Sequence, residues 1–107
     1  MNKEFEAIFC VINDGFSDTV MRAARKAGAS GGTILKGRGV GHPDAEKAFD
    51  MYIQPEKEIL MMVVPKDIKD DVLRTVYSSI DMEGNGHGIV FSLPVSQTVG
   101  IEDFRDN

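Results

Sequence analysis

Tryptophan is missing from this chain of 107 residues, cysteine occurs once, and aromatic side chains make up only 7%. A single cysteine, Cys10, rules out an internal disulfide and points to a reducing compartment, hence a cytoplasmic protein. Cys10 lies inside the apolar run "AIFCVI" and reads as a small buried hydrophobe, not a nucleophile. Basic residues are also scarce, 12 Lys and Arg against 17 Asp and Glu for a formal charge of -5. With no basic stripe to neutralise phosphates, nucleic acid is excluded as a partner. No apolar run reaches membrane-spanning length, and "MNKEFEAIFCVIN" lacks the basic segment, long apolar run and cleavage site of a secretory signal. HExxH, GxSxG, CxxC and paired-carboxylate signatures are missing too, so no enzyme activity is expected.

What is present has the periodicity of a compact α+β fold. With 42% hydrophobic residues the chain can bury one modest core, and residues 1–107 are read as a single domain. "FEAIFCVI" (5–12) is short and rich in β-branched and aromatic residues, which predicts a strand. From Phe16 to Gly28, Phe16, Val20, Ala23, Ala24 and Ala27 recur every three or four positions, one face of an amphipathic helix. Gly28 supplies its left-handed stop, while Arg25 and Lys26 suit the negative end of the helix dipole. "TILKGR" and "KEILMMVV" are further strands. Asp67 is the expected N-cap of a second helix carrying Ile68, Val72, Val76 and Ile80, and "GIVFSLPV" closes the series. The order βαββαβ predicts a ferredoxin-like sandwich, a four-stranded antiparallel sheet with two helices on one face.

Two strands carry apolar residues on both faces. In the third, Ile59, Met61 and Val63 oppose Leu60, Met62 and Val64; in the first, Ala7, Phe9 and Val11 oppose Ile8, Cys10 and Ile12. Two helices cover one face, so the other is expected to meet a second copy of the chain.

Glycines cluster at two places, Gly31 to Gly41 and Gly84 to Gly88, each after a helix and before or through a strand. Neither has the strand-to-helix setting of a dinucleotide or Walker loop. A backbone nest remains, in which successive N–H groups converge on an anion; "EGNGHG" suits it. The plainer reading gives each glycine only a tight turn. The only histidines, His42 and His87, lie in these segments without the carboxylate or thiolate spacing of a metal site.

Together, "KAGASGGTI", "GRGVGH", "ILMMVVPKD" and "GNGHGIVFSLPV", in that order and spacing from Phe5 to Ile101, resemble the nitrogen-regulatory PII family and its PII-like relatives. The resemblance implies a homotrimer that binds an adenine nucleotide, ATP, ADP or AMP, in intersubunit clefts. It also implies that a protruding loop, here about 38–54, acts on a membrane transporter or metabolic enzyme. Carried over by position, Gly31, Gly32 and Thr33 approach the adenine or ribose, as does the backbone of Val63 and Val64. Gly39 and Gly41, with His42 beside them, line the phosphate side, and Gly84, Asn85, Gly86, His87 and Gly88 match the phosphate-binding turn.

Several positions depart from the pattern. Gly88 stands where the family has a lysine before the isoleucine of the last strand, and His42 and Pro43 replace an arginine and a glutamine. That glutamine helps hold 2-oxoglutarate and Mg in the family, so neither is implied here. The loop is shorter, with no tyrosine at the place of nucleotidylylation; Tyr52 lies near its exit. Of the arginines beyond the last strand only Arg105 remains, in the short tail 102–107. The expectation is thus a divergent PII-like signal-transduction protein, regulatory and not enzymatic. Its rivals are a metal-binding ferredoxin-like trimer and a nucleotide-hydrolysing enzyme of the same fold.

Overall fold

The structure, a computed structural model, describes residues 4–40, 56–82 and 88–101. Strand β1 (Phe5–Asn13) leads to helix α1 (Ser17–Lys26) and strand β2 (Thr33–Arg38). Strand β3 (Glu56–Pro65), helix α2 (Lys69–Met82) and strand β4 (Ile89–Val95) follow. The sheet order is β2-β3-β1-β4, and all three ladders are antiparallel. β1 and β2 therefore run parallel with β3 inserted between them, the split βαβ arrangement of the ferredoxin-like fold.

The core lies between the helices and one sheet face. Alternation puts Ile8, Cys10 and Ile12 of β1 and Leu60, Met62 and Val64 of β3 on that face. They pack with Val20 and Ala24 of α1 and with Val72, Val76 and Ile80 of α2. Cys10 is fully buried, and burial pushes its thiol up to about 12, so it is held as an inert thiol within the core.

Helix α1 ends as its sequence requires. Gly28 has φ +113°, its N–H donates to the Arg25 carbonyl at 3.0 Å, and the Ala29 N–H donates to the Ala24 carbonyl at 3.0 Å. These two bonds form a Schellman stop, and buried Ala29 supplies its apolar contact.

The second helix starts differently from expectation. Asp67 does not cap it: a 3-10 turn over Lys66–Ile68 intervenes, Pro65 holds the capping position, and no side chain bonds to the turn. The reason is that the chain must turn as soon as β3 ends. Pro65 is still paired with Phe5, and the Lys66 N–H donates to the Glu4 carbonyl at 2.9 Å. A tight 3-10 turn fits that short distance. Asp67, Asp70 and Asp71 gather at the start of the helical segment, where the dipole favours them.

The opposite sheet face bears Ala7, Phe9 and Val11 of β1, Ile59, Met61 and Val63 of β3, and Ile89, Phe91 and Leu93 of β4. Phe9 and Phe91 stack there with centroids 5.3 Å apart. Within one protomer this face is substantially open: Phe91 is 42% and Leu93 52% exposed.

Candidate functional site

Of the positions singled out in the sequence, Gly41, His42, Gly84, Asn85, Gly86 and His87 lie outside the described residues, as do most of the loop 38–54 and the tail 102–107. The remainder fall into two groups at opposite ends of the sheet. Gly31, Gly32 and Thr33 open β2 beside Val63 and Val64, because the β2–β3 ladder stops at Thr33 opposite Met61. On that side of β3 the backbone of Val63 and Val64 has no ladder partner among the described residues. Val64 is buried in the core, so only its backbone can meet a ligand, whereas Val63 is 39% exposed on the open face.

Gly39 stands just past the other end of β2, and from Thr33 the extended chain covers roughly 20 Å to reach it. Gly88 precedes β4 at this same end, since Ile89 pairs with Val11 near the finish of β1. β2 and β4 are the two outer strands, so Gly39 and Gly88 lie on opposite edges. One protomer therefore brings the first group together but keeps it apart from Gly39 and Gly88.

Steric environment separates the glycines further. A Cβ on Gly32 would lie 2.9 Å from Leu60 Cδ1, 3.0 Å from the Met61 carbonyl oxygen and 3.0 Å from Met62 Cγ. One on Gly88 would lie 2.9 Å from Ile80 Cδ1. At Gly32 the backbone carbonyl of Met61 makes packing within the chain a sufficient reason for glycine, whereas at Gly88 the crowding comes from side-chain atoms, mainly of Ile80. Around Gly31 a Cβ would meet nothing within 4 Å.

Sequence reading passed over Glu58, which organises the loop-bearing end of the sheet. It is buried on the core face of β3, opposite Lys36 of β2. Its Oε1 accepts the Gly15 and Ser17 N–H groups, each at 3.1 Å, and its Oε2 accepts Lys36 Nζ at 2.8 Å. Lys36 Nζ also donates to Asp14 Oδ1 at 2.7 Å. Helix α1 has no side-chain cap of its own, so a carboxylate from β3 satisfies its first N–H, that of Ser17, and also the Gly15 N–H of the preceding turn. The available signal was parity: Glu58 shares the core-facing register of Leu60, Met62 and Val64.

Burial acts to raise the Glu58 pKa, but hydrogen bonds from Lys36, Ser17 and Gly15 outweigh it and hold the carboxyl below its ordinary value. Hydrogen bonds to Asp14 first, and then to Glu58, raise Lys36. A depressed carboxyl stabilises the fold fully above its unfolded-state pKa, and this contribution is lost as pH falls through the folded value. Glu58→Gln is expected to cost about 1.5 kcal/mol at neutral pH. Denaturant melts should show the variant and the parent converging below about pH 4, where the unfolded chain already binds the proton. A constant gap across that range would mean that the charge contributes nothing.

Among the described residues no three His, Cys, Asp or Glu side chains converge as a metal site, and no helix is long and apolar enough to cross a membrane.

The family model described as nitrogen regulatory protein P-II matches residues 5–104. No curated protein matches the sequence. Among solved structures, Arabidopsis thaliana PII bound to citrate superposes with TM-score 0.69 at 24% identity, covering 94% of this chain and 82% of that one. The apo form of CPII from Thiomonas intermedia K12, a nitrogen regulatory PII-like protein, gives 0.62 at 15% identity, covering 86% and 89%. A Bacillus cereus protein related to NIF3 gives 0.68 at 14% identity; the match covers 89% of this chain and only 26% of that longer one. At these identities the structural likenesses establish the fold.

Proposed function

This chain belongs to the nitrogen regulatory protein P-II family, and from that membership we propose that it is a regulatory, non-enzymatic homotrimer of the cytoplasm. It binds an adenine nucleotide or related small anion between subunits and acts on a transporter or metabolic enzyme through residues 38–54. The observation that carries this reading is the open sheet face. A surface holding Phe9, Met61, Val63, Phe91 and Leu93 is too apolar to remain in water, and a symmetric copy is the economical cover.

Joining sheets through these faces lets the β2 edge of one subunit approach the β4 edge of the next. Gly39 on the β2 edge and the segment before β4, parted within one protomer, then meet across a subunit boundary, while Gly31 to Thr33 stay at the far end of β2. An extended ligand would run along β2, with its base near Thr33 and Val63 and its anionic end toward Gly39 and the turn before β4. The Glu58, Lys36 and Asp14 network braces that end of β2, so ligand contacts there could bias the adjoining loop.

Calorimetric titration with AMP, ADP and ATP tests the reading. Saturable binding of one nucleotide per protomer is expected with at least one of them, together with a change in proteolysis rate between Gly39 and Gln54. An oligomer showing neither heat nor thermal shift with all three ends the nucleotide assignment.

A further inference from the structure

A second recess lies within a single protomer, between α1 and the outer edge of β2 on the helix side of the sheet. Its volume is about 260 Å³, slightly below the usual range for small-molecule pockets. Met21, Leu60 and Ile34 form its apolar lining, and Ile34 is 45% exposed because α1 leaves the edge strand partly uncovered. Arg22, Arg25 and Asp18 supply the charge.

Lys36, Lys66, Lys69 and Arg74 each sit within 3.2 Å of a carboxylate oxygen. Arg22 and Arg25, like Lys26, Arg38 and Lys57, have no ion-pair partner among the described residues, although Asp18 stands one helical turn before Arg22; what sets these two apart is that both line one recess. The helix dipole explains Arg25 in the last turn. It does not explain Arg22, which lies in mid-helix before that turn and lines the same recess.

We propose that this recess between α1 and β2 binds a small organic oxyanion, a carboxylate or phosphate head held by the Arg22 and Arg25 guanidiniums with its carbon body against Met21, Ile34 and Leu60. Two planar forks match oxyanion geometry and offer more donors than a single carboxylate oxygen can use. Asp18 disfavours fully charged, compact ions and favours a ligand that also carries a hydroxyl to donate. The site is complete in one protomer, needs no glycine nest, and differs from the intersubunit cleft, although Gly32 lies at its rim.

Nuclear magnetic resonance titration of the full chain with citrate and, separately, glycerol 3-phosphate at fixed ionic strength tests this. Saturable shifts of the Asp18, Arg22 and Ile34 amides are expected with at least one probe, and the tighter probe identifies the head group as carboxylate or phosphate. Arg22→Gln and Arg25→Gln should each weaken that binding about tenfold. Arg74→Gln, which removes an equal charge from α2, should not. Both arginines are exposed, so their loss leaves the core intact. Shifts that never saturate, that ignore Arg22→Gln and Arg25→Gln, or that weaken equally in Arg74→Gln overturn the proposal. The nucleotide reading fails separately, by calorimetry with nucleotides that leave these three amides out of account.

Discussion

Phe91→Glu is expected to yield a folded monomer in place of the proposed homotrimer. Phe91 stands near the middle of β4 on the open face, stacked on Phe9. In a lone protomer it is 42% exposed, so a carboxylate there can reach water and the sandwich should keep its fold. Closing sheet faces over three such carboxylates would instead bury unpaired charge at several kcal/mol each. Light scattering coupled to size exclusion reads the mass, and circular dichroism reads the fold. A Phe91→Glu protein that stays trimeric would show that the copies meet elsewhere. A parent protein that is already monomeric at micromolar concentration would remove the basis of the intersubunit cleft.

Gly32→Val is expected to destabilise the protomer by about 3 kcal/mol, with or without ligand. The first carbon added would collide with Leu60, with Met62 and with the Met61 carbonyl oxygen. A flexible side-chain tip can give way, but the carbonyl belongs to a central strand and cannot move without disturbing the ladder to β1. Gly31→Ala is the matched control. Its Cβ enters open space, so stability should change by less than about 0.5 kcal/mol. Denaturant melts of the two variants separate packing from recognition. If Gly31→Ala leaves stability alone but weakens nucleotide binding, Gly31 is the glycine kept for the ligand and Gly32 the one kept for the core. A Gly32→Val protein of parental stability would mean that the β2 start can shift away from β3.

Much of the fold was legible because its determinants are local. Alternation in "FEAIFCVI" and "KEILMMVV" and the three-to-four spacing of Val20, Ala24, Val72, Val76 and Ile80 arise from neighbours within one or two turns or pleats. Gly28 was legible for the same reason: a left-handed residue just after an amphipathic run needs no distant partner. Asp67 misled because the cap preference is local, whereas the start of that helical segment is set by Pro65 still pairing with Phe5 across the sheet. The candidate site was legible as residue types and not as an arrangement. Gly31 to Gly41 reads as one glycine-rich segment, yet β2 runs straight through it and carries its ends roughly 20 Å apart.

By itself the sequence determined the βαββαβ order, the two apolar sheet faces, the inert setting of Cys10 and the family resemblance, since each is written in near-neighbour pattern or in motif spacing. Only the tertiary structure decided that β2 and β4 lie on opposite edges, that Glu58 caps α1 from another strand, and that Gly32 is small because the Met61 carbonyl and core side chains of β3 press on it. Those outcomes depend on strand register, which joins residues some forty positions apart, as Ser17 is joined to Glu58. No local periodicity encodes such a pairing, because it is selected by how the whole buried face closes around its helices.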